Sequence, residues 1–265
     1  MCAWNRLAGL VVLAATALGA APVRLADLPG QETEASWSPD GQAVLFQWER
    51  DGDRDIAVLD LRSGQVRVLV PGPGQACYPT WTPDGQHVVY SYGHLTTTAL
   101  QAVADGIDEG FNLYRVKASG GPATQLTVGR VRDYLPRVSA AGDTLWFTST
   151  RGLRQNSAGI FRLALGDAAA EPTAVLAIDH ASGGAVQPDP SPDGRVLAYA
   201  TCVGVRANWR LCLLRASDPA RTADLTSGDW LAYAPRWSPD GALIACTGYR
   251  PGEPGWGVYV VQART

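Results

Sequence analysis

Apolar positions in this chain keep fixed distances from a recurring tight-turn signal. Measured from Gly41, Gly85, Gly142, Gly194 and Gly241, the residues three places on are Val44, Val88, Leu145, Leu197 and Ile244. Five places on stand Phe46, Tyr90, Phe147, Tyr199 and Cys246. Positions three and five share one face of an extended strand, so both belong to a packed surface. The residues leading into the glycines are Trp37-Ser38-Pro39-Asp40, Trp81-Thr82-Pro83-Asp84, Val138-Ser139-Ala140-Ala141, Ser191-Pro192-Asp193 and Trp237-Ser238-Pro239-Asp240. Pro presets φ, Asp hydrogen-bonds the following backbone and Gly accepts a positive φ, so each copy predicts a reversal between two strands. The copy ending at Gly142 has lost both Pro and Asp.

A third strand follows in each unit: Ile56 to Leu59, Leu113 to Val116, Ile160 to Leu163, Leu211 to Leu214 and Val258 to Val261. A fourth is predicted around Leu69, Leu126, Leu176 and Leu225. The turn glycines lie 44, 57, 52 and 47 residues apart, a period that marks propeller blades. The expected fold is all-β, a five-bladed β-propeller of four-stranded antiparallel blades. The chain stops at strand three of the last unit, while Ala26-Asp27-Leu28 repeats the Ala223-Asp224-Leu225 of an outer strand. Val23 to Gly30 is therefore expected to supply the missing outer strand and close the ring, so that no edge is left open.

The turns and their flanks resemble the TolB-type, WD-like propeller repeat, which also builds the propellers of dipeptidyl-peptidase-IV-like enzymes and of oligogalacturonate lyases. The resemblance covers nearly all of the chain after its first twenty or so residues. It implies a propeller and, by analogy with TolB, a periplasmic partner such as a peptidoglycan-associated lipoprotein. TolB carries an additional α/β domain before its propeller, with no counterpart expected here, so the expectation is protein or glycan binding in general. The same repeat serves binding, gating and catalytic propellers.

Residues 1 to 20 break the pattern. Arg6 precedes the uncharged run Leu7 to Ala20, which is too short for a membrane span and suits a secretory signal peptide. The expected organisation is a signal peptide at 1–20 and a propeller at 21–265, periplasmic or secreted, with no membrane span after cleavage. A closed ring predicts a monomer. With 22 Lys and Arg against 25 Asp and Glu, the net charge of −3 gives no basic field and argues against nucleic acid as partner.

Export permits disulfides, and Cys77, Cys202, Cys212 and Cys246 remain after cleavage. The short Asp51-Gly52 turn sets Phe46 opposite Ala57, so alignment sets Cys212 opposite Tyr199. Cys202 then lies too far along the strand to bridge Cys212, and reduced thiols are expected.

No G-x-S-x-G elbow occurs, which removes a serine-hydrolase reading. His87, His94 and His180 fall at unrelated blade positions, so neither a metal nor a cofactor is expected. The loops opposite the turns gather aromatic and basic residues, and the long insertion between Gly93 and Gly110, with a short helix expected at Thr98 to Ile107, lies on that face. The residues before the Trp positions, Ser36, Thr80, Arg137, Asp189 and Arg236, fall nearer the axis, where Arg137 and Asp189 are expected to pair between blades. The candidate ligand-binding set is Tyr78, Tyr134, Arg137, Trp230, Tyr233 and Arg236, since aromatics and Arg dominate binding hot spots. The reading leans toward a binding module with no catalytic residue. The alternative is a carbohydrate-active enzyme, glycosidase or lyase in type, using Glu34 and Asp189 at the channel mouth.

Overall fold

The computed structural model of the protein describes residues 24–93, 110–154, 157–178, 183–202, 209–227 and 229–263. Among these residues there is no helix, and the strands fall into successive antiparallel meanders, or blades. Blade one consists of β1 (Gln31–Trp37), β2 (Ala43–Arg50), β3 (Asp53–Asp60) and β4 (Val66–Val70). Blade two is β5 (Gln75–Trp81), β6 (His87–Gly93), β7 (Phe111–Lys117) and the two-residue β8 (Thr124–Gln125). Blade three is β9 (Asp133–Val138), β10 (Thr144–Ser149), β11 (Ser157–Ala164) and β12 (Thr173–Ile178). Blade four follows as β13 (Gly183–Pro190), β14 (Val196–Cys202), β15 (Arg210–Arg215) and β16 (Asp218–Asp224). Blade five has three strands among the described residues, β17 (Leu231–Trp237), β18 (Leu243–Tyr249) and β19 (Gly257–Gln262).

Each Ser-Pro-Asp-Gly turn is locked by its own side chains. Ser38 Oγ donates to Asp40 Oδ1 at 2.6 Å, and the Gln42 N–H donates to the same oxygen at 3.0 Å. The Ala43 N–H donates to Ser38 Oγ at 2.9 Å, and Gly41, at φ 68°, donates its N–H to the Ser38 carbonyl. The pattern recurs at Thr82/Asp84, Ser191/Asp193 and Ser238/Asp240. In the worn copy Asp143, one residue after the glycine, takes the lost aspartate's place and accepts from Ser139 Oγ at 2.8 Å. These hydroxyls hold the Asp40 and Asp143 carboxyls below the usual carboxylate range.

Registers follow the turns. Asp51 and Gly52 both have positive φ, the geometry of a two-residue hairpin, and Phe46 pairs with Ala57 as expected. Tyr199 pairs with Cys212, whereas Cys202 pairs with Gly184 on the other side. All four described cysteines are buried, and none is in a disulfide.

The core is a series of layers between blades. In blades two to five the residues three and five past the turn glycine face the preceding blade: Val88 and Tyr90 pack with Leu45, Ile56 and Val58, and Leu145 and Phe147 pack with Val89 and Leu113. Leu197 and Tyr199 pack with Trp146 and Ile160, and Ile244 and Cys246 pack with Ala198, Ala200, Leu211 and Leu213. Burying each such side chain contributes on the order of 2 kcal/mol against the chain entropy lost on folding.

Closure of the ring is where the structure departs from expectation. Residues 24–30 form no strand. They lie on blade one instead: Leu28 packs beside Phe46, Trp48 and Leu59, and Trp48 Nε1 donates to the Pro29 carbonyl at 2.8 Å. Local contacts explain the choice. The Leu28 N–H is taken by Glu32, Arg24 pairs with Asp27 at 2.8 Å, Pro29 has no N–H to offer a ladder, and Gly30 turns the chain at φ 105°. Val23 and the helix expected at Thr98 to Ile107 lie outside the described residues. Among the described residues no strand pairs with the free edge of β19, and no core layer joins blade five to blade one.

Candidate functional site

The inner strands β1, β5, β9, β13 and β17 share a feature that their side chains do not announce. Three residues before each Trp position the backbone turns left-handed at a residue other than glycine: Glu34 (φ 54°), Tyr78 (54°), Leu135 (56°), Gln187 (57°) and Ala234 (54°). The register slips at the same place, between Thr33 and Ser36, Cys77 and Thr80, Val186 and Asp189, and Tyr233 and Arg236. These are β-bulges, and each left-handed L-residue costs about 1 kcal/mol. Because the bulge recurs in every blade it belongs to the repeat.

The freed backbone groups are used between blades. The Gln187 N–H donates to Thr148 Oγ1 of blade three at 3.0 Å, and the Gln187 side chain accepts from the Ala234 N–H of blade five at 2.8 Å. Gln187 thus ties three successive blades at the axial level. Alignment to the turns would have exposed it, since it shares a repeat column with Glu34 and Tyr78.

Two residues nearer the turns lies a charge cluster built on the buried Asp189. Asp189 Oδ1 is 3.5 Å from Arg137 Nε and 3.9 Å from Arg236 Nη1, so the expected Arg137–Asp189 pair forms and Arg236 joins it. The other carboxylate oxygen accepts the Trp237 N–H at 2.8 Å, and Trp237 Nε1 donates to the Asp189 carbonyl at 3.0 Å. Each arginine also donates to the carbonyl of the proline before it, Arg137 to Pro136 and Arg236 to Pro235. Burial pushes the Asp189 carboxyl up to about 6 against the pull of Arg137 and the Trp237 N–H. The same burial pulls the Arg137 guanidinium below its ordinary value, against the charges of Asp189 and Glu34. Desolvation outweighs pairing on both sides because the two ion-pair contacts are long.

The bulges also gather the tyrosines. Tyr78 and Tyr134, from adjacent blades, have ring centroids 6.4 Å apart. Burial, then the neighbouring Tyr78, pushes Tyr134 up to about 12, while burial, Cys77 and the Glu34 charge raise Tyr78. The Glu34 charge is thus felt at both Tyr78 and Arg137, on blades two and three. Tyr233 lies beside the half-exposed Trp256 at 5.3 Å.

The structure therefore brings Tyr78 and Tyr134 together, brings Arg137 and Arg236 together on Asp189, and sets Tyr233 with Trp256. Trp230 falls elsewhere. It is 7% exposed, packed edge-on against Tyr259 at 5.1 Å with Arg250 over its ring, and so belongs to the blade-four to blade-five core. Its size lets it fill the layer above Gly248, where even a Cβ would meet its ring.

Of the alternative acid pair, Glu34 is exposed on β1, and Asp189 has both oxygens engaged by arginines and a backbone N–H. Among the described residues no three His, Cys, Asp or Glu side chains converge as metal ligands would. His94 and His180 lie outside the described residues. On the opposite, turn-bearing face a groove of about 710 Å³ opens between blades one and two, lined by Asp40, Asp60, Arg67, Trp81, Asp84 and Gln86.

A family model described as the TolB beta propeller domain matches residues 12–208. No curated protein sequence matches the chain. Among solved structures, an Agrobacterium tumefaciens protein assigned as TolB superposes with a TM-score of 0.69 at 17% identity, over 90% of this chain and 79% of that one. TolB from Acinetobacter baumannii gives 0.66 at 15% identity, over 91% of this chain and 56% of that one. An oligogalacturonate lyase solved with manganese gives 0.60 at 18% identity, over 85% and 61%. At these identities the likeness is one of fold, and the chain spans little more than half of the Acinetobacter protein.

Proposed function

Because the chain belongs to the TolB beta propeller domain family, we propose that it is an exported binding propeller whose axial mouth holds a protein or glycan of the cell envelope. In this reading residues 1–20 are a signal peptide, residues 21–265 form the propeller, and the mature protein works in the periplasm or outside the cell. The observation that carries the reading is the repeated bulge. It sets Glu34, Tyr78 and Gln187 at one repeat position of the inner strands, with Tyr134 and Tyr233 one residue before that position in blades three and five and the Arg137–Asp189–Arg236 cluster two residues after it. Tyrosines offer rigid contact area at small entropic cost, and Arg236, 40% exposed at its side chain, offers a guanidinium to the ligand.

The test is a titration of candidate envelope proteins and glycans against three variants. Tyr233→Ala and Arg236→Ala are expected to weaken binding by about 1 to 3 kcal/mol. Gln86→Ala, on the wall of the turn-face groove, is expected to leave it unchanged. Equal losses in all three, or an oligosaccharide-cleaving activity abolished by Glu34→Gln, would contradict the proposal.

A further inference from the structure

Among the described residues the buried acids are Asp55, Asp133 and Asp189. Two of them hold a single arginine closely. Arg50 Nε and Nη2 both donate to Asp55 Oδ2, at 3.1 and 2.9 Å, and Arg151 Nη2 donates to Asp133 Oδ2 at 2.7 Å. Asp189 is paired differently. Its Oδ1 faces Arg137 Nε at 3.5 Å and Arg236 Nη1 at 3.9 Å, both beyond good hydrogen-bond length, and its Oδ2 is spent on the Trp237 N–H.

One carboxylate is thus shared loosely between two guanidiniums. Among the described residues the hydrogen bond that each arginine makes runs to the carbonyl of the proline before it, at 2.8 Å for Arg137 and 2.6 Å for Arg236, which leaves most of the N–H donors of both forks unspent. The charged groups that act on Arg137 are Asp189 and, at longer range, Glu34, and those within ion-pair reach of Asp189 are the two arginines. With Asp189 ionised, the cluster carries one more positive charge than negative. Two planar forks and a surplus positive charge are the complement of a carboxylate.

We propose that the cluster recognises its ligand through a carboxylate, which accepts hydrogen bonds from Arg137 and Arg236 and competes with Asp189 for them. The assignment rests on the binding reading above and narrows it to acidic ligands. Asp189 is then a built-in competitor: ionised, it offsets one guanidinium, and protonated, it releases both. Burial pushes its carboxyl up to about 6, so carboxylate binding tightens as pH falls through about 6 and takes up a proton. An acidic side chain of a protein and a uronic sugar both supply the recognised group.

Formate, which stays ionised over the range, is the probe, titrated into the full mature chain and followed by the nitrogen NMR signals of the arginine side chains. The wild type is expected to bind it about 10-fold more tightly at about pH 5.5 than at about pH 7.5. Asp189→Asn removes the competing charge, so at about pH 7.5 it should bind about 10-fold more tightly than the wild type and lose the pH dependence, a gain that a merely structural ion cluster would not give. Arg236→Gln should weaken binding about 10-fold at either pH. N-acetylaspartate amide and glucuronate, a peptide-like and a sugar carboxylate, then separate the sources, and tighter binding of either than of formate supports the assignment. Formate that leaves the Arg137 and Arg236 signals unmoved, or binds Asp189→Asn no better than the wild type, would overturn it. An uncharged envelope component lost from Tyr233→Ala, with no formate bound, would overturn the carboxylate alone and leave the binding reading standing. Formate bound as expected with no envelope component captured would support the carboxylate site and count against the binding reading.

Discussion

Asp189 is the residue whose chemistry is most altered by the fold. A carboxyl whose folded pKa of about 6 exceeds its unfolded value near 4 favours the folded state fully below about pH 4 and loses that advantage as pH rises through about 6. Relative to Asp189→Asn, the wild type should therefore lose stability between about pH 4 and about pH 6.5, by a few kcal/mol at most. Urea unfolding of both proteins across that range checks this, and parallel pH profiles would show that the carboxyl is not desolvated. The turn aspartates have the opposite sign: Asp40, Asp84, Asp193 and Asp240 are held low, so their contribution is present above about pH 4 and disappears as pH falls through their lowered values. Trp230, placed in the core, should cost about 3 to 5 kcal/mol when cut to Ala. A neutral Trp230→Ala would return it to the surface. Burial pushes the Cys212 thiol up to about 12 and Cys246 up to about 11, so both should react slowly with alkylating agents in the native state. After denaturation of the chain lacking residues 1–20, without reductant, four thiols should titrate, and a count of two would reveal a disulfide.

At the scale of elements, what the sequence made legible was what side chains dictate. The turns, the hairpin at Asp51-Gly52 and the facing of Tyr199 and Cys212 all follow from residue types with strong local preferences. The inner-strand bulge was not legible, because Glu34, Tyr78, Leu135, Gln187 and Ala234 have no conformational signature in common; the left-handed turn is imposed by inter-blade packing and by partners such as Thr148. The role of Asp143 in the worn turn is hidden in the repeat pattern because the aspartate has moved two places along the chain rather than vanished. The outer strand expected at Val23 to Gly30 rested on a tripeptide match, which says nothing of Pro29 or of the pull of blade one. Of the candidate site, Tyr78, Tyr134, Arg137, Tyr233 and Arg236 fell on elements the repeat could place, whereas burial of Trp230 depends on Tyr259 from the far strand of its blade. The bulge makes its own prediction. Ala234→Gly relieves the left-handed backbone and should be neutral or stabilising by up to about 1 kcal/mol, while Ala198→Gly, in the middle of a buried strand, should cost about 1 kcal/mol or more. Equal losses at both sites would mean that Ala234 is not left-handed.

For the whole molecule, apolar layers join each described blade to the next, and the proposed function sets the tyrosines, arginines and acids of the inner strands at one mouth. The central claim is that this mouth binds a partner. The most direct measurement is capture of envelope components by immobilised wild-type protein, Tyr233→Ala and Gln86→Ala, with quantitative mass spectrometry of what each retains. At least one component is expected to be held by the wild type and by Gln86→Ala and lost from Tyr233→Ala. A component retained equally by all three, or lost only with Gln86→Ala, would place binding on the turn face and contradict it.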